Sequence, residues 1–259
     1  TIYQGHAAAH VAGADLVAAT SAAREDNPEI AAARTAGIPV LRRRDLLGAL
    51  MAGQVGIAVA GTHGKTTTTA LLVHVLSEAG LDPTYIIGGV LRNTGANAGV
   101  GRGPHFVIEA DEYDRMFLGL RPQIAIITNI EHDHPDCYPT LDDVRAAFAE
   151  FAALLPDDGL LIVCADDAEA RALGDRRRAA GHPVAFYGFA GAAGETFWRA
   201  SDLVPDAAGG TAFTAWRGAQ NLGRVRLALA GRHNVLNALA VIAAADHAGV
   251  PFAVAAGAL

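Results

Sequence analysis

The sequence predicts an α/β fold in two parts: a partial Rossmann-like domain over residues 1–54, then a larger α/β domain over residues 55–259 with a small β-rich part. Three observations carry this. Apolar runs of strand length alternate with helix-length segments along most of the 259 residues, as in a parallel sheet flanked by helices. One such run, Gly56-Ile57-Ala58-Val59-Ala60, passes through the turn Gly61-Thr62-His63-Gly64-Lys65-Thr66-Thr67 into an apolar helical segment. Two further runs, Phe106-Val107-Ile108 and Ile124 to Ile130, break off into clusters of charged side chains. Ligands in open α/β sheets gather at the C-terminal ends of strands, so these three places belong to one candidate site.

In the first part, Ala14 to Ala19 reads as a strand. Asn27 is placed to cap a helix that Pro28 opens and that stops near Gly37. Ile38 to Leu41 is a short strand, and Asp45 to Met51 is helical. No Gly-x-Gly-x-x-Gly turn opens this part. Gly5-His6, read as following a strand, fits a ligand contact and a plain turn equally.

The second part begins at the strand Gly56 to Ala60. Strand, glycine-bracketed turn, Gly-Lys-Thr and helix together form the layout of a phosphate-binding loop. Gly61 and Gly64 let the backbone turn tightly, so that N–H groups of Thr62, His63 and their neighbours converge. The helix N-terminus at Thr67 adds partial positive charge. Lys65 supplies a full charge and Thr66 a hydroxyl suited to Mg²⁺. The loop is short: the standard spacing puts a glycine where Val59 stands. Lys65 is the only lysine in the chain. A chain that otherwise uses arginine keeps a compact ammonium here, where a broad guanidinium fits poorly among phosphate oxygens. The plainer alternative is a strand-to-helix turn with an exposed lysine.

Further along, Tyr85 to Gly89 reads as a strand, followed by a polar connection through Asn97 to Gly103. His105 to Glu109 and Ile124 to Ile130 are buried strands. Asp142 to Leu155 has Val144, Phe148, Phe151 and Leu155 on one helical face, and Pro156 ends it. Leu160 to Cys164 is a strand, Asp166 to about Ala180 a helix, and Val184 to Tyr187 a strand. The β-rich part lies between Gly188 and Ala230, with strands expected at Thr211 to Trp216 and Val225 to Ala230. A long alanine-rich helix follows Gly231 and runs to Gly249, and Pro251 opens another.

Charged groups at the end of an apolar strand need a partner, and a divalent cation supplies one. Glu109 and Thr66 are therefore candidates to share one Mg²⁺ with a nucleotide. His134 is a candidate for a second ion or for the phosphate. Asp111, Glu112 and Asp114 fit a solvated loop as well as a site. His132 and His134 face the same way if their segment is extended. Asn234 and Asn237 share one helical face, and their amides match the edge of adenine; a helix cap and a surface polar residue are the plainer readings.

Composition narrows the class. With 51% hydrophobic residues and few aromatics the chain can bury proper cores. A net charge of −7 speaks against a nucleic-acid surface. Alanine accounts for much of the mean hydropathy of +0.24, and the uncharged stretch Leu46 to Gly64 is broken by glycines and Gln54, so no membrane insertion is expected. The start lacks a leader pattern. Cys137 and Cys164 have no metal-ligand spacing and suit a reducing cytoplasm.

Ala60-Gly61-Thr62-His63-Gly64-Lys65-Thr66-Thr67-Thr68-Thr69 resembles the ATP loop of the Mur ligases, which is likewise short at the Val59 position. Glu109-Ala110-Asp111-Glu112, Thr128-Asn129-Ile130-Glu131 with Asp133-His134, and Gly231-Arg232-His233-Asn234 with Asn237 resemble that family's other blocks, in order. Gly5-His6, Asp26-Asn27-Pro28-Glu29, Gly37-Ile38-Pro39-Val40 and Asp82-Pro83-Thr84 with Gly88-Gly89 resemble its alanine-adding branch. The resemblance implies a central ATP-binding domain of the P-loop Mur-ligase type. It implies ATP and Mg²⁺ as cofactors and UDP-N-acetylmuramate and L-alanine as substrates, joined through an acyl phosphate for peptidoglycan precursors.

It further implies roles. Gly61, Thr62, His63, Gly64, Lys65, Thr66 and Thr67 hold ATP phosphates, and Asn234 and Asn237 hold adenine. Thr66, Glu109 and His134 hold metal, with Lys65, Glu109 and His134 acting in the reaction. Gly5, His6, Ser21 and Asn97 face the sugar nucleotide. His10 stands where the branch usually has asparagine, and no lysine follows Lys65 to be carbamylated as in several members. Against the family the chain is expected to lack the glycine-rich opening of the first domain and the whole third domain, and to have weak or no ligase activity alone. The alternatives are a ligase that attaches a recycled tripeptide to the same sugar nucleotide, disfavoured by the short Asp114 to Thr128 segment, and a non-catalytic nucleotide-binding remnant.

Overall fold

The computed structural model describes residues 1–20, 22–190, 196–207 and 209–259. A short 3₁₀ turn at Ala8–Val11 precedes β1 (Val17–Ala19), which pairs in parallel with β2 (Val40–Arg42). Between them runs α1 (Pro28–Thr35), capped as expected by Asn27, whose side chain accepts the Glu29 N–H at 2.9 Å. Next comes α2 (Arg43–Leu50). Among the described residues Thr1 to Gln4 form no strand before Gly5, and β1 starts at Val17 rather than Ala14.

The main sheet is built from β3 (Val55–Ala60), β4 (Thr84–Ile86), β5 (Ala98–Gly99), β6 (His105–Glu109), β7 (Ile124–Ile127), β8 (Leu160–Cys164), β9 (Val184–Gly188), β10 (Phe197–Pro205), β11 (Thr211–Arg217) and β12 (Gln220–Leu227). Their order is β12-β11-β10-β9-β8-β7-β3-β6-β4-β5. Pairing is parallel from β4 through β10 and antiparallel at both margins. The central strand is β3, with β6 on one side and β7 on the other. These are the three strands whose ends carry the candidate residues.

Alternate residues of the central strands serve opposite cores. Ile57, Val59, Ile124, Ile126 and Ile162 face α3 (Lys65–Glu78), α6 (Arg232–His247) and α7 (Phe252–Ala258). Ala58, Ala60, Ala125, Ile127 and Val163 face α4 (Leu141–Ala152) and α5 (Ala168–Ala179), together with Leu47 and Met51 of α2 and its C-terminus. Buried on both faces, the strands read as continuous apolar runs. Phe148 and Phe151 stand on α4 as expected and pack on Phe117, edge-on and stacked.

Several boundaries differ from expectation. β4 stops at Ile86 because Gly88 turns its N–H to the Glu109 carboxylate. β7 stops at Ile127 because Thr128 and Asn129 turn to the loop after β3. The β-rich part contains β10, which the sequence pattern hides: a register shift between Ser201 and Val204 breaks its alternation. Its last strand spans Gln220–Leu227, not Val225 to Ala230. A 3₁₀ segment at Tyr113–Gly119 was also illegible, and Asp114 and Arg115 in it have left-handed backbones (φ 52° and 54°).

Candidate active site

The turn between β3 and α3 is held from outside. Asn129 accepts the His63 N–H at 2.8 Å and donates to the His63 carbonyl at 3.0 Å. Thr128 donates to the same carbonyl at 2.6 Å. The Thr62 hydroxyl accepts the Glu131 N–H at 2.9 Å. The segment after β7 thus fixes the shape of the segment after β3. Gly61 (φ 135°) and Gly64 (φ 84°) take conformations that L-residues resist. A Cβ at Gly61 would lie 2.0 Å from the Thr128 hydroxyl, and one at Gly64 2.9 Å from Asn237 Oδ1. Gly64 precedes α3, whose first-turn N–H groups, including those of Lys65, Thr66 and Thr67, have no acceptor within the helix. They are available to an anion.

Lys65 folds back over the loop. Its Nζ donates to Gly61 O at 2.7 Å, Thr62 O at 3.2 Å and Glu112 Oε1 at 2.9 Å. It is 15% exposed and Glu112 only 3%. Glu112 is therefore no solvated-loop residue, although sequence left that reading open; only its position after a buried strand hinted otherwise. Burial raises the Glu112 carboxyl above the ordinary value, against the pull of the Lys65 charge. Tyr138 donates to the Glu112 carbonyl at 2.5 Å, and burial pushes its own phenol up to about 12.

His134 adopts a left-handed backbone (φ 54°), so its segment is not extended. The two histidines diverge as a result. His132 Nε2 turns to the Tyr138 carbonyl at 2.9 Å, while His134 Nε2 lies 3.9 Å from Glu112 Oε1. The His134 N–H donates to Asp133 at 2.7 Å and is the main cause of that carboxyl's lowered pKa. Tyr113 meets the His134 ring edge-on. Asp111 accepts the Tyr113 N–H at 3.1 Å, and Asp114 is exposed.

Thr66 and Glu109 meet directly. The hydroxyl donates to Glu109 Oε1 at 2.9 Å, and Oε2 accepts the Gly88 N–H at 2.7 Å. A hydroxyl and a carboxylate oxygen side by side are the hard donors that Mg²⁺ selects, with phosphate and water completing its shell. The pair fits that ion. Among the described residues no three His, Cys, Asp or Glu side chains form a cage by themselves.

Beyond Gly64 a cavity of about 180 Å³ opens, lined by His63, Asn129, Tyr187, His233, Leu236 and Asn237 among others. Asn237 is 6% exposed, not a surface residue, and donates to Asn234 Oδ1 at 3.3 Å. Asn234 is not a helix cap; Gly231 holds that place, and the Asn234 amide donates to Ala230 O at 2.8 Å. Thr128, Asn129 and Tyr187 are lining residues that periodicity alone could not place.

Of the residues expected to face a sugar nucleotide, Gly5, His6 and Asn97 are exposed. Gly5 is exposed (φ 79°), and His6 Nδ1 lies 3.4 Å from Glu29 Oε2. His10 holds the other oxygen of Glu29 at 2.6 Å and stacks on Tyr3. Asn97 is exposed, and its carbonyl accepts the Ile87 N–H at 2.8 Å. Ser21 lies outside the described residues. No described helix is long and apolar enough to cross a membrane.

Residues 59–245 match the Mur ligase middle domain, and residues 1–55 match the catalytic domain of the Mur ligase family. The chain is similar to UDP-N-acetylmuramate--L-alanine ligase of Acidithiobacillus ferrooxidans, 45% identical over 255 residues that cover 96% of this chain and 53% of the relative. The Xylella fastidiosa enzyme of the same name is 48% identical over 251 residues, 96% of this chain and 51% of that one. The chain spans about half the length of the curated relatives it matches. Among solved structures, UDP-N-acetylmuramate:L-alanyl-gamma-D-glutamyl-meso-diaminopimelate ligase from Neisseria meningitides superimposes with a TM-score of 0.85 at 33% identity, covering 99% of this chain and 82% of that one. UDP-N-acetylmuramate-alanine ligase from Thermotoga maritima gives 0.77 at 33%, with 95% and 54% covered. With its central loop, flanking strands and the match over both segments in agreement, the chain belongs to the Mur ligase family.

Proposed function

We propose that this chain binds ATP at the Lys65 loop and serves the ATP-dependent joining of L-alanine to the lactyl carboxylate of UDP-N-acetylmuramate. The observation that carries the reading is the convergence of Lys65, Thr66, Glu109 and His134 on three adjacent strand ends, beside N–H groups at the start of α3. Phosphoryl transfer needs positioning and charge neutralisation more than covalent help. A carboxylate oxygen of the sugar nucleotide attacks the γ-phosphorus, and ADP leaves. The amine of L-alanine then attacks the acyl carbon of the resulting acyl phosphate, loses a proton and expels phosphate. Lys65 and the α3 N–H groups bind the β- and γ-phosphates, and His134 would hold a second Mg²⁺ near the acceptor carboxylate. Thr66 and Glu109 hold Mg²⁺, which neutralises phosphate charge when bound. Asn234 and Asn237 orient adenine in the cavity beside Gly64. Gly5, His6 and Asn97 serve the sugar nucleotide.

Calorimetry of ATP binding to the 259-residue chain, with and without Mg²⁺, tests this. Binding that Mg²⁺ strengthens and that Lys65→Ala weakens by about tenfold or more is the expected result. Binding indifferent to Mg²⁺ favours a non-catalytic nucleotide module. The likeness to the Neisseria meningitides ligase, at 82% coverage of that chain, favours a second acceptor, the L-alanyl-γ-D-glutamyl-meso-diaminopimelate tripeptide. Phosphate release with UDP-N-acetylmuramate and either L-alanine or the tripeptide, from a form extended to the length of the relatives, separates the two.

A further inference from the structure

The ammonium group of Lys65 has three protons, and this structure directs all three inward, to Gly61 O, Thr62 O and Glu112 Oε1. None is left for a phosphate. The carboxylate that takes the third is shut off from solvent, and its Oε2, also 2.9 Å from Nζ, forms no hydrogen bond among the described residues. Its backbone is held as well, by the Tyr138 hydroxyl on the Glu112 carbonyl. A phosphate that recruits Lys65 must displace this carboxylate and approach its negative charge at short range, in a setting where water screens little.

We propose that Glu112 is a positioning residue that holds the Lys65 ammonium group against the loop, so that nucleotide phosphate competes with a buried carboxylate for the chain's one lysine side chain. This rests on the reading of Lys65 as the phosphate-gripping group. It assigns to Glu112 a role distinct from that of Glu109: Glu109 shares a cation with the phosphates, whereas Glu112 opposes their binding until cationic charge is supplied. Glu112→Gln keeps the acceptor oxygen and removes the charge.

Two measurements on the 259-residue chain test this. The first is calorimetry of ATP in EDTA. Glu112→Gln is expected to bind metal-free ATP about tenfold more tightly than the unaltered chain, the scale of a charge-assisted hydrogen bond. A purely structural role would weaken binding instead. The second uses the lone lysine. Labelling lysine at ¹³Cε and ¹⁵Nζ gives one side-chain NMR signal, from Lys65. ATP is expected to move it, and Glu112→Gln to move it without ATP. Equal or weaker metal-free affinity in a Glu112→Gln chain of normal unfolding midpoint overturns the proposal. So does a lysine signal unmoved by saturating ATP, which decides the matter even if the variant folds poorly. An unaltered chain that binds no ATP overturns the phosphate-loop reading too. One that binds ATP through Lys65 with no effect of Glu112→Gln overturns this inference alone.

Discussion

Thr66 donates its hydroxyl to Glu109 across 2.9 Å, joining the first turn of α3 to the last residue of β6. The other oxygen of Glu109 is tied to the Gly88 N–H, so three chain segments meet at one carboxylate. Glu109→Gln keeps the size and removes the charge that a cation needs. The gain in ATP affinity on adding Mg²⁺ is expected to shrink by about tenfold or more, about 1.4 kcal/mol. Titrating ATP with and without Mg²⁺ in both proteins checks it.

Lys65→Arg is expected to behave like Lys65→Ala rather than like the unaltered chain. The ammonium sits 2.7 Å from Gly61 O in a space that leaves it 15% exposed. A planar guanidinium is larger and cannot direct three donors to three convergent oxygens. Both variants are expected to lose ATP affinity by about tenfold or more. Retention of most of the affinity in the arginine variant would count against a geometric requirement for lysine.

Gly64→Ala places a methyl 2.9 Å from Asn237 Oδ1 on a backbone at φ 84°. The left-handed conformation alone costs about 1–2 kcal/mol. The variant is expected to be destabilised by about 1–2 kcal/mol or more, unfolding at lower urea concentration, and to bind ATP more weakly because the loop and the cavity share this contact. Equilibrium denaturation followed by circular dichroism reads the first effect.

Tyr138 gives a pH dependence. Its folded phenol titrates at about 12, against an ordinary value near 10, because the ring is buried. The folded state therefore holds the proton more tightly than the unfolded state. The stabilisation is complete below pH 10 and is lost as pH rises towards 12, on the order of 1–3 kcal/mol. Tyr138→Phe is expected to flatten this alkaline limb relative to the unaltered chain. Denaturant midpoints at pH 9, 10 and 11 compare the two slopes; parallel slopes would rule the assignment out.

Much of this was legible in the residues. Gly61 to Thr67 gave loop and helix because glycine, lysine and helix-start chemistry act locally. Buried parallel strands announced themselves as unbroken apolar runs, as in Ile124–Ile127 and Leu160–Cys164. What escaped depends on distant partners. Glu112 looks solvated until Lys65, 47 positions away, is seen to reach it. Asn237 looks like a surface residue until Gly64 is placed against it. The divergence of His132 and His134 follows from one left-handed residue, which an alternation rule cannot anticipate. β10 was hidden by its irregular register.

Asn129 and His63 are 66 positions apart and exchange two hydrogen bonds. The curve of the loop is thus written into the neighbouring strand's exit, not into the loop alone. On the proposed function, a nucleotide meets a segment already tied at His63, which lowers the ordering cost of closing a loop on its ligand. Loosening the loop then means breaking the contacts that Thr128, Asn129 and Glu131 make with it from the neighbouring strand's exit.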